Sequence, residues 1–128
     1  MLTAQAVAGW HFDVDRGPDW MFVRLRPAHD GGAEELALAA RIWSILEQSF
    51  TYRLVLELDH IELLQSCLIA QLVMLSKRIH SHGGMLRLCG LSPGNQQVLH
   101  VCRLEGCLPN YDNRGDAVMG TQRPLQPR

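Results

Sequence analysis

The sequence is short of net charge, paired cysteines and long apolar runs, and each shortage removes a class of function. Lys77 is the only lysine, and the arginines are spread along the chain without a cluster. Twelve basic residues against 13 acidic ones leave a formal charge of -1. Sequence-independent binding to phosphate backbones needs a net cationic face, so a nucleic-acid partner is not expected. The four cysteines, Cys67, Cys89, Cys102 and Cys107, form no CxxC pair, so the spacing argues against zinc, and four reduced thiols are expected. No cofactor or metal is expected, and there is no glycine loop of the phosphate-cradling kind. The most apolar run, Leu63 to Leu75, is broken by Gln65, Ser66 and Gln71 and falls short of the roughly 20 residues that a membrane span requires. The opening MLTAQAVAGW has no basic segment ahead of an apolar stretch, so no export signal is read and a cytoplasmic location is expected.

What is there fits one domain. A chain of 128 residues and 47% hydrophobic composition buries enough surface to hold a core without metal or disulfide. Residues 1–120 read as that domain, and the polar, proline-rich 121–128 as a flexible tail. Gly9 to Asp15 and Trp20 to Arg26 alternate apolar and polar residues, the mark of half-buried strands, with a turn at 16–19. Leu36, Ala39, Trp43, Leu46 and Phe50 then recur at three- and four-residue steps, which places them on one side of a helix. Glu34 and Glu35 fall in its first turn, where the helix dipole favours negative charge.

Arg53 to Asp59 reads as a strand with Leu54, Leu56 and Leu58 on one face. A second helix is expected from Ser66 to Ser81, striped by Leu68, Leu72, Leu75 and Ile79 and closed by Gly83-Gly84. Met85 to Cys89 reads as a buried strand, and Ser92-Pro93 as the start of a third helix ending near Arg103. Leu108 to Tyr111 is a short edge strand and Gly115 to Gly120 a final helical turn. The order β-β-α-β-α-β-α-(β)-(α) predicts an α/β domain with right-handed crossovers and a parallel or mixed sheet. Trp43 lies on a core stripe, whereas Trp10 and Trp20 suit either a sheet face or a contact with a second copy; a homodimer is left open.

Three stretches in this order resemble the STAS domain family: Leu54-Val-Leu-Glu-Leu-Asp-His-Ile-Glu-Leu-Leu-Gln-Ser-Cys67, Gly83-Gly-Met-Leu-Arg-Leu-Cys-Gly-Leu-Ser-Pro93, and Val98 to Asp112 with its Leu-Glu-Gly and Leu-Pro-Asn-Tyr-Asp. The resemblance covers roughly Trp20 to Gly120. It implies the STAS-like α/β fold, a mixed sheet with its helices packed mainly on one face, and a regulatory, non-enzymatic role. Such domains bind a kinase-like anti-sigma factor in a partner-switching system that controls transcription. Phosphorylation at the start of the second helix then turns binding off.

Read across the family pattern, the phosphoacceptor position falls on Cys67, whose thiol is not an ordinary kinase acceptor. Ser66 is a substitute acceptor or, on the competing reading, the helix N-cap. The resemblance puts the partner-binding face on Asp30, Asp59, Gln65, Ser66, Cys67, Leu68 and Gln71, with Leu68 standing where the family has glycine. Asp30 serves equally well as a capping residue ahead of Gly31-Gly32. Two other functions compete. One is a permanent structural subunit of a signalling or lipid-transport assembly. The other is a thiol enzyme or redox sensor, with Cys67 activated by the helix dipole and His60 near it in sequence.

Overall fold

The computed structural model describes residues 2–7, 10–27 and 38–120. Asp30, Gly31, Gly32, Glu34, Glu35, Leu36 and the expected tail 121–128 lie outside the described residues. The elements run β1 (Leu2–Val7), β2 (Trp10–Arg16), β3 (Met21–Pro27), α1 (Leu38–Ser49), β4 (Arg53–Glu57), α2 (Ser66–Ser81), β5 (Met85–Cys89), α3 (Pro93–Val101), β6 (Asn110–Tyr111) and α4 (Arg114–Met119). One six-stranded sheet holds all the strands in chain order. Pairs β1–β2 and β2–β3 are antiparallel; β3–β4, β4–β5 and β5–β6 are parallel. The expected α/β domain with a mixed sheet is therefore what forms, with β1 as an added edge strand.

Alternation decides which face each strand residue serves. Trp10, Phe12 and Val14 of β2, Val23 and Leu25 of β3, and Leu54, Leu56 and Leu58 around β4 enter one large core with α1, α2 and α3. Trp43 belongs to it, as its helical spacing implied. On the opposite face a smaller cluster of Trp20, Val55, Cys89 and Ala117 is covered by α4, with Phe22, Tyr111 and Val118 packed at its margin. Trp20 is thus sheet cover within the chain.

Several local expectations need correction. Phe50 does not join the stripe of α1: it adopts φ 51° beyond the helix end and is 85% exposed. Its left-handed backbone turns the side chain out of the core while Thr51 N–H closes on Leu46 O. Strand β4 stops at Glu57, two residues early, and α3 stops at Val101. The strand at 108–111 is only Asn110–Tyr111, while the last helix begins sooner, at Arg114, capped by the Asn113 side chain. The start at Ser92-Pro93 is borne out, with Ser92 Oγ accepting from Asn95 N–H at 3.2 Å. Gly83, at φ +74°, supplies the left-handed turn after α2.

A candidate docking face at the start of helix α2

Helix α2 spans Ser66–Ser81, as its apolar period predicts, but the cap is not where serine suggested. Gln65 occupies the N-cap position and makes no side-chain cap hydrogen bond, and Ser66 is the first helical residue. The serine hydroxyl is therefore not committed to capping. The first intrahelical bond runs from Ile69 N–H to Gln65 O at 2.9 Å. With no cap bond from the Gln65 side chain, the first-turn amides carry the partial positive charge of a helix start. Gln65, Ser66 and Cys67 are all exposed at this end.

The loop from Leu58 to Gln65 delivers this turn. Leu58, Ile61 and Leu64 point inward and are buried, while Asp59, His60, Glu62 and Leu63 stay exposed. Leu58 N–H bonds to Cys89 O at 2.9 Å and Ile61 N–H to Leu58 O at 3.1 Å, which bends the chain sharply after β4. Asp59 packs against Gly90, where an added Cβ would fall 2.5 Å from its carboxylate. Gly90 is thus required to be small for Asp59 to stand beside the end of β5, a close approach compatible with its φ of +79°.

Not every expected site residue reaches this surface. Leu68 is 2% exposed and belongs to the large core. Its bulk therefore points away from any visitor, because a residue at the third helical position rotates onto the sheet side. Gln71 is also buried, and its Oε1 accepts from Ala39 N–H at 2.9 Å, so it caps α1 instead of facing outward. Among the described residues, the exposed Gln65, Ser66 and Cys67 share this turn, while the exposed Asp59 stands beside Gly90 at the end of β5.

Two features of this end of the molecule went unread in the sequence. Asn95 of α3 is 1% exposed and bridges the loop backbone, with Oδ1 accepting from Leu64 N–H and Nδ2 donating to Ile61 O, both at 2.9 Å. Its position just inside the Ser92 cap was the available signal, since a polar residue on a helix flank facing the sheet is unusual. The second is a charged cluster on the α4 side. Glu57, buried, accepts from Arg24 Nη2 at 2.6 Å and from Arg114 Nε at 2.6 Å, and Arg114 Nη1 also donates to Asp15 at 2.7 Å. Arg24, Glu57 and Arg114 line a cleft of about 260 Å³ with Asp59, Cys89, Gly90, Asp112 and Asn113. Burial, followed by the charges of Glu57 and Asp59, pushes the Cys89 thiol up to about 12, so this cysteine is an inert packing residue.

A family model of the STAS domain matches residues 13–117. The chain belongs to the STAS domain family. Its STAS domain superimposes on solved structures across most of both lengths. An anti-sigma-factor antagonist (STAS) domain protein from Planctomyces limnophilus gives a TM-score of 0.70 at 21% identity, covering 85% of this chain and 96% of that one. An anti-sigma factor antagonist from Mycobacterium paratuberculosis gives 0.69 at 19% identity, covering 94% and 93%. The anti-sigma factor antagonist SpoIIAA in its unphosphorylated form gives 0.65 at 14%, covering 88% and 99%. At these identities the likeness establishes the fold. No curated protein matches the chain in sequence. No helix among the described residues is long and apolar enough to cross a membrane.

Proposed function

We propose that this STAS domain is a non-enzymatic anti-sigma factor antagonist that docks a kinase-like anti-sigma factor, with the phosphoacceptor hydroxyl replaced by the thiol of Cys67. The observation that carries the reading is the exposed Cys67 in the first turn of α2, next in sequence to the exposed Gln65 and Ser66, with Gln65 at the N-cap making no side-chain cap bond. A helix start offers unpaired N–H donors and positive partial charge, which suits an acidic or carbonyl-rich partner surface. Asp30 belongs to the docking set by family resemblance. Leu68 and Gln71 act from behind, holding α2 on the sheet and α1 on α2.

In a domain with a serine at the position of Cys67, phosphate would add a charge close to -2 and break a surface built around a neutral group. The thiol removes that control, so binding persists in the presence of ATP. The relatives named as anti-sigma factor antagonists support the partner class. The test is incubation with the kinase-like anti-sigma factor and ATP, followed by mass-spectrometric mapping. The wild type is expected to carry no phosphate in 59–67 and Cys67→Ser to gain it at residue 67. Stoichiometric phosphate on Ser66 of the wild type would overturn the disabled switch and make Ser66 the acceptor.

A further inference from the structure

Between Leu58, whose N–H pairs with Cys89 O of β5, and Gln65, whose carbonyl opens α2, the loop has no strand to pair its backbone among the described residues, yet Ile61 and Leu64 are buried within it. Buried backbone groups need partners, and here one side chain supplies two of them. Asn95 is drawn from α3, 31 and 34 residues away in sequence, and both ends of its amide are spent on this loop. Only one orientation of the amide satisfies both contacts, because Leu64 offers a donor and Ile61 an acceptor. Its own N–H is held by Ser92 Oγ, so the helix end that carries it is fixed in turn.

We infer that Asn95 is the positioning residue of the docking face. It sets the path of 61–64 and, through it, the entry of the chain into α2 and the placement of Gln65, Ser66 and Cys67. This role builds on the proposed docking function. The two anchors bracket the exposed Glu62 and Leu63 and end one residue before the N-cap. A shift at either anchor therefore moves the first turn of α2 as a unit. A leucine of similar volume would fill the space and keep the core, but it would leave Leu64 N–H and Ile61 O unpaired and free the loop to take another path.

The decisive comparison uses Asn95→Leu, Asn95→Asp and, as a stability control, Ser76→Ala. Ser76 is equally buried and its Oγ donates to Cys107 O at 3.0 Å, tying α2 to the segment after α3 and away from the docking turn. Two readouts are taken on each full chain: amide exchange of Leu64 normalised to Leu56 in β4, and affinity for the kinase-like anti-sigma factor. For Asn95→Leu, normalised Leu64 exchange is expected to rise about tenfold and affinity to fall about tenfold. Asn95→Asp keeps the acceptor for Leu64 but sets an oxygen where Nδ2 donated to Ile61 O, so both readouts should move in the same direction, and it serves if Asn95→Leu does not fold. Ser76→Ala should lower the melting temperature yet leave both readouts within about twofold of wild type.

Equal loss of affinity in Ser76→Ala and the Asn95 variants, or unchanged Leu64 exchange, overturns the positioning role while leaving docking intact. A wild type that does not bind the anti-sigma factor overturns the docking function and the positioning role together, which the wild-type titration alone reveals.

Discussion

The two faces of the sheet are built on different physics. The face under α1, α2 and α3 is closed by apolar contact, from Trp10 and Phe12 at one edge to Leu88 and Leu99 at the other. Among the described residues the face under α4 has a four-residue buried cluster, and charge and cation–π contacts finish it. Arg114 joins Glu57 to Asp15 and lies 4.2 Å from the Phe22 ring centroid. Arg87 lies over Trp20 and Tyr111 and donates from Nη1 to Ala117 O at 2.7 Å. Area-driven burial is not weakened by charge screening and depends little on pH, whereas a half-wet ionic clamp is sensitive to both. One face therefore holds the fold, and the other fastens a short helix to it.

The largest expected effect tests the apolar face. Phe12 is fully buried in the large core, and Phe12→Ala should cost about 3–5 kcal/mol in denaturant unfolding. Next comes the ionic face. Glu57→Ala leaves Arg24 and Arg114 facing each other without their shared carboxylate. Breaking a fully buried pair costs about 3–5 kcal/mol, and here about 2 kcal/mol is expected, because both guanidinium groups are partly solvated. A loss equal to that of Phe12→Ala would erase the distinction between the faces.

Acid should separate them further. The hydrogen bond from Arg114 holds the Asp15 carboxyl below its usual value of 3.8, and the bond from Arg26 does the same for Asp13 between β2 and β3. A depressed carboxylate pKa adds stability above the unfolded value, and that stability is lost as pH falls through the folded value. Below about pH 4 the amide signals of Ala117 and Val118 should therefore shift before those of Leu72 or Leu75, and 1 M salt should act in the same direction. Simultaneous change would show that the clamp does not act separately. The smallest effect concerns the thiols. Alkylation near pH 8 should modify the exposed Cys67 and spare Cys89, and Cys67→Ser should change stability by less than about 0.5 kcal/mol.

The parts of this fold legible in sequence are those governed by period and by punctuation. The alternation in β2 and β3, the stripe of α2 and the Ser92-Pro93 start were all readable, because each is a local pattern with one physical solution. Edge strand β1 was not, since the alternation in LTAQAV rests on two alanines, weak strand formers, and the segment owes its strand to pairing with β2. Phe50 misled because helical spacing continues past the residue where the backbone turns left-handed. At the candidate site, the exposure of Cys67 followed from the family register. The inward rotation of Leu68 was also implicit in its own stripe with Leu72, Leu75 and Ile79, a local signal that the family comparison had overridden. Gln71, Asn95 and Glu57 were opaque because their partners lie more than 30 residues away.

The most direct test of the account is a titration of the kinase-like anti-sigma factor against the wild type and Cys67→Ser, each before and after incubation with ATP. The account predicts that the wild type binds with the same affinity in both conditions, while Cys67→Ser binds at first and is released as nucleotide is consumed. Release of the wild type by ATP, or indifference of Cys67→Ser to it, would contradict the claim that sulfur at this helix start disables the switch.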